Sequence, residues 1–271
     1  MSFLLIIISI NIFVSCTTIK PSKEIPSEST NDKIVSFVEF LKFKVIDEVK
    51  LEEKYLFKKE LLDNDEYKTI WDLQRALADD YVDKNIEVYK TTINNDKINY
   101  KNNNKSAETE LYIMLSDGNI FGGYSIAEIK GEKKHFTLDG LDLDEFKTNK
   151  LLNPIIEVKN TDKDVITTDV FTGYLNANKK DWYFVQVSSL DREPVETWTD
   201  FSINRIKISN NNENFFTADI GYNIKITAES NYFAAGNGVA GDDYWINNKS
   251  NFFDLLKVGE NKYVILTGYT G

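Results

Sequence analysis

The chain has 271 residues, 42% hydrophobic and 13% aromatic, enough to bury a substantial core and too apolar for a disordered tract. Its formal net charge of −11 argues against nucleic acid as a partner, since that affinity comes from cations on phosphate, and against adsorption to anionic lipid headgroups. A single cysteine excludes an internal disulfide, and with a single histidine it leaves too few of the usual ligands for zinc. No cofactor is expected.

The first element is the uncharged run Phe3 to Val14, followed by Ser15 and Cys16. An apolar core ending in a small residue has the layout of an export signal. A cysteine directly after the small residue resembles the lipobox of bacterial lipoproteins. Phe13 stands where that family's pattern has leucine, and no Lys or Arg precedes the run. The resemblance implies that residues 1–15 are a signal peptide and that Cys16 carries acyl chains such as palmitate. It places the protein in the cell envelope, lipid-anchored to a bacterial membrane. An export signal discarded without lipidation and an uncleaved membrane anchor are the alternatives, although spanning a bilayer takes about 20 apolar residues. Residues 16–32, with Pro21, Pro26 and many Ser, Thr and charged side chains, read as a flexible tether.

Residues 33–82 read as a helical region. Asn31 or Asp32 can cap a helix whose apolar positions are Ile34, Phe37, Val38, Leu41 and Val45. Asp63 or Asp65 can cap a second, with Tyr67, Ile70, Trp71, Leu77, Ala78 and Tyr81 as its stripe, and Trp71 is expected to be buried against a sheet.

Residues 83–271 read as a β-rich domain of short β-branched and aromatic runs divided by turn residues. Expected strands are 86–93, 97–101, 110–115, 120–129 and 135–138, then 155–159, 164–171, 182–188, 195–208, 215–227 and 262–267. Asp117-Gly118 suits a tight hairpin turn, Gly122-Gly123 a bulge, and 252–257 a short helix. The fold class is therefore α+β, a short helical region followed by a mostly antiparallel meander, sandwich or partly closed barrel.

Three places carry chemistry. His135 is the only histidine, and no nucleophile or metal motif accompanies it. The run Asp139 to Glu145 clusters carboxylates in an expected loop, with Asp142 and Asp144 as candidate Ca²⁺ ligands, although a solvated acidic loop is the favoured reading. The Gly236–Gly241 stretch matches a dinucleotide pattern, but Asp242 and Asp243 follow it and would repel phosphate. Its aromatic flanks, Tyr232, Phe233, Tyr244 and Trp245, are candidate ligand-binding residues that can stack on a sugar ring or a protein partner, although pinning the loop's ends to the core is the favoured reading. The reading is a membrane-anchored lipoprotein acting as a non-catalytic binding or envelope-structural module. The alternative is a carboxylate-dependent hydrolase of polysaccharide or peptidoglycan, for which acidic residues are plentiful but no pair can be named.

Overall fold

The computed structural model describes residues 29–102, 108–179, 196–227 and 238–269. Helix α1 (Thr30–Phe40) is capped by Ser29, whose Oγ accepts from the Asp32 amide, so it begins before the expected Asn31 or Asp32. Strand β1 (Lys50–Leu56) follows, inside the segment read as helical. A 3₁₀ turn (Lys59–Asp63) leads to α2 (Asp65–Asp72), capped by Asn64, and a second 3₁₀ turn covers Ala78–Tyr81. The apolar stripe expected for one helix is thus shared between a helix and a turn.

The first sheet is an antiparallel meander in the order β1-β2-β3-β4-β5. Its later members are β2 (Asn85–Asn94), β3 (Glu108–Ser116), β4 (Asn119–Ile129) and β5 (Glu132–Thr137). Between β2 and β3, residues expected as a strand at 97–101 form helix α3 (Asp96–Lys101). Asn95 caps it by accepting from the amides of Lys97 and Ile98, which favours a helical turn. The β3–β4 hairpin turns at Asp117-Gly118 as expected. Its register shifts where Met114 pairs Gly122 and Leu115 pairs Ile120, leaving Phe121 as the extra residue of a bulge.

Helix α4 (Leu143–Leu152), β6 (Ile156–Glu157) and α5 (Lys163–Ala177) come next. The expected strand at 164–171 is therefore helix. Its β-branched residues favour strand locally, but Ile166, Val170, Phe171 and Leu175 lie on one helical face and bury against the second sheet. That sheet runs β6-β11-β10-β8-β7, from β7 (Trp198–Ser209), β8 (Phe215–Ile226), β10 (Trp245–Gly259) and β11 (Lys262–Tyr269). The short β9 (Val239–Ala240) pairs with β10. The expected helix at 252–257 is the middle of β10. Phe253 and Leu255 pack towards α5 while Leu256 and Val258 pack towards the first sheet, so burial on both faces removes the strand alternation from the sequence. The expected strand at 182–188 lies outside the described residues.

The observed fold is α+β with antiparallel, β-rich architecture in three layers: first sheet, second sheet, α5. The first core is shared. Ile34, Phe37, Val38, Trp71 and Tyr81 from the N-terminal region join Ile113 and Leu115 of β3 and Phe215, Leu256 and Val264 of the second sheet. Trp71 is buried as expected, its ring 5.9 Å from Phe121, which in turn stacks on Tyr81 at 4.0 Å. The two sheets meet where β10 crosses β4.

Candidate functional site

The residues singled out in the sequence fall in separate places. Cys16, Tyr232 and Phe233 lie outside the described residues. Tyr244 stands on the turn between β9 and β10 and Trp245 begins β10, the turn being closed by the Gly241 amide donating to the Trp245 carbonyl at 2.8 Å. Asp243 and Tyr244 both take left-handed backbone conformations there, and Asp243 pairs with Lys225 on β8. Tyr244 is 57% exposed, beside an equally outward Val239, whereas Trp245 is half-buried and opposite Lys225. The turn therefore presents one aromatic ring to solvent.

Asp142 and Asp144 belong to a helix start rather than to the expected loop. Asp142 is the N-cap of α4: its Oδ1 accepts from the Glu145 amide at 3.0 Å, and Glu145 Oε2 accepts from the Asp142 amide at 3.0 Å. Lys101 bridges both carboxylates, at 3.2 and 2.6 Å. Burial opposes the charge on Asp142, but the Glu145 amide and Lys101 outweigh it and hold the carboxyl below its usual range. Asp144 is exposed and pairs with Lys147 at 3.3 Å. Among the described residues, no three His, Cys, Asp or Glu side chains converge as metal ligands do. His135, on β5, is half-buried with its ring 6.1 Å from that of Tyr124. Burial lowers its pKa, opposed by the charge of Glu66.

A different set of residues lines a cleft of about 360 Å³ at the seam between the sheets. The end of α1 supplies Leu41, with Lys42 and Phe43 after it. The β2–α3 turn supplies Asn94 to Lys97, the loop after β5 supplies Asp139, and β10 and β11 supply Asp254 and Thr267. Asp139 accepts from Thr137 Oγ1 at 2.7 Å and has Lys97 at 3.6 Å. Asp254 is only 4% exposed and accepts from Thr217 Oγ1 at 2.6 Å and Thr267 Oγ1 at 3.0 Å. Both donors are neutral, and Asp254 forms no ion pair among the described residues.

Leu41, Asp139 and Leu266 also line a narrower inner space of about 10 Å³, which reaches Gln74 and Arg75 just after α2. Arg75 is 7% exposed. Its Nη2 donates to Asn149 Oδ1 at 2.7 Å, and its guanidinium lies 5.2 Å from the Phe146 ring centre. Its Nη1 is buried without a hydrogen-bond partner, and it forms no ion pair among the described residues. Burial lowers its pKa, with the charge of Asp139 acting the other way. Buried charges normally carry a partner. Here one cation and one anion line the same seam without neutralising each other.

Nothing local in the sequence marks Arg75, Asn95 or Asp254 as belonging together. Each is an ordinary polar residue on a different element, and only the packing of the sheets collects them. Compared with known proteins, the chain matches no family model, no curated protein and no solved structure.

Proposed function

We propose that the chain is a membrane-anchored bacterial lipoprotein, lipidated at Cys16, whose folded part is a non-catalytic binding or envelope-structural module. The Ser15-Cys16 ending of an uncharged apolar run supports the anchor, and the segment after it supports a tether. Two or more acyl chains are needed for stable attachment, because a single chain holds only marginally. The observation that carries binding is the seam cleft. Its volume lies within the range of small-molecule sites, and Leu41, Phe43 and Leu266 give it apolar surface among its polar groups. The exposed Tyr244 offers a second contact, suited to a protein or a glycan of the envelope.

Labelling cells with a clickable palmitate analogue tests the anchor. Label on the wild-type chain and none on Cys16→Ala is expected; label on neither overturns the anchor. Binding of the purified protein to isolated envelope fractions tests the module, with Asn94→Trp placed at the exposed cleft rim to obstruct entry. Binding unchanged by that variant removes the cleft from the reading.

One observation favours a second reading. Asp139 and Asp254 line the same cleft, and a pair of carboxyl groups is what a hydrolase of polysaccharide or peptidoglycan uses. Release of reducing ends from peptidoglycan, lost in Asp254→Asn, is the result that would favour it over binding alone.

A further inference from the structure

We infer that the seam cleft binds a small zwitterion, a molecule bearing a carboxylate and an ammonium group, with the carboxylate at Arg75 and the ammonium at Asp254 and Asp139. The inference rests on the binding-module reading and goes beyond it by assigning the ligand's chemistry. It starts from two unbalanced charges. The Arg75 guanidinium is buried with Nη1 unpartnered, and its fixed fork of donors suits a carboxylate. Among the described residues the buried Asp254 carboxylate accepts from two threonine hydroxyls, one on each oxygen, and has no cation beside it. Had these two charges served only the fold, pairing them with each other would have offset part of the penalty for both.

The inner space and the outer cleft share lining residues. Arg75 stands at the inner end, Asp254 lines the outer part, and Asp139 lines both, together with Leu41 and Leu266. Lys42 and Lys97 also line the outer part, and Lys97 already faces Asp139, so a simple anion could reach Arg75 but would leave the buried Asp254 without a cation. A simple amine would satisfy the acids and leave Arg75 unpaired. A molecule with both charges complements each of them. Phe43 and Leu266 in the outer part and Leu138 in the inner give the wall apolar surface beside its polar groups, so the ligand should carry an apolar portion as well. The inner space admits about one water or one carboxylate oxygen, which places the anionic end of the ligand there. An amino acid or dipeptide with an apolar side chain meets all of these demands.

The test uses the full-length chain in detergent micelles and isothermal titration calorimetry. The probes are L-leucine and leucyl-leucine, with 3-methylbutylamine as the leucine analogue lacking the carboxylate and 4-methylpentanoate as the one lacking the ammonium. At least one zwitterion should bind at least tenfold more tightly than both single-charge analogues. Asp254→Asn, which keeps its shape and can accept from one threonine and donate to the other, should weaken that binding at least tenfold, and so should Arg75→Gln if near-ultraviolet circular dichroism shows it folded. Absence of zwitterion binding to the folded wild type overturns the proposal, as does equal binding of the amine or the acid alone, or indifference to Asp254→Asn. If zwitterions fail while Asn94→Trp still abolishes envelope binding, the ligand class is wrong and the cleft reading survives. If Asn94→Trp also has no effect, both fall.

Discussion

Gln74 and Gly123, 49 residues apart in sequence, are joined by a 2.7 Å hydrogen bond in which the Gly123 amide donates to Gln74 Oε1. The other end of the same side chain, Nε2, donates to the Ile70 carbonyl at 2.8 Å at the end of α2. One buried amide thus ties the helix to the β4 bulge that projects Phe121 between Trp71 and Tyr81. Gln74→Ala should cost about 1–3 kcal/mol, because it leaves the Gly123 amide buried and unsatisfied. Chemical denaturation against wild type checks this.

Gly123 itself should be harder to replace. Its φ is 155°, and a Cβ there would overlap the Tyr112 carbonyl oxygen, a backbone atom that cannot swing aside. Gly123→Ala should therefore destabilise by about 3 kcal/mol or more, at the top of the range for overpacking. A loss smaller than that of Gln74→Ala would show that the bulge relaxes freely.

Phe37 on α1 is fully buried, with its ring 5.1 Å from that of Phe215 on β8 and 6.0 Å from that of Phe40. Phe37→Ala should cost about 3–5 kcal/mol. Because this contact joins the N-terminal region to the second sheet, urea unfolding should remain a single transition when followed by both fluorescence and circular dichroism. Two separated transitions would mean that the shared core is not the unit of stability.

His135 should make the protein less stable in mild acid. Burial disfavours its imidazolium, with Glu66 only partly opposing, so the folded-state pKa lies below the unfolded value of about 6.5. Between those two values the unfolded chain binds more protons, so stability falls as pH drops through about 6.5 and levels off below the folded pKa. As the only histidine, His135 gives one resolvable set of imidazole NMR signals, whose midpoint should lie below 6.5. His135→Gln should flatten the stability profile in that window.

Tyr244, at 57% exposure, holds little of the core. Tyr244→Ala should shift stability by less than about 0.5 kcal/mol while weakening binding to envelope fractions. Unchanged binding would remove this ring from the contact surface.

The legible parts of the fold were those with a local physical cause. Strands β3 and β4 were read because an apolar run meets Asp117-Gly118, whose left-handed backbone closes a tight turn, and because Gly122-Gly123 marks the bulge. Helix α5 looks like a strand in sequence because Val165, Ile166, Thr167, Thr168 and Val170 have strand preferences, and only docking on the second sheet reveals which of them share a face. The centre of β10 was read as a helix because Phe252 to Leu256 shows no alternation when both faces are covered. Asp142 was read as a loop acid because a capping box looks like an acidic cluster until the helix behind it is seen.

By itself the sequence determined the α+β, mostly antiparallel character, the burial of Trp71 and the Asp117-Gly118 hairpin, since composition, turn chemistry and residue size act over a few neighbours. The tertiary structure decided the pairing of the two sheets, the choice of helix at 163–177 and the convergence of Arg75, Asn95, Asp139 and Asp254 on one seam. Those depend on which surfaces bury one another across long stretches of chain, and burial of that kind can override local preference. The seam exists because the ends of α1 and α2, the start of α3, the loop after β5 and the middle of β10 come together, which no short window of residues records.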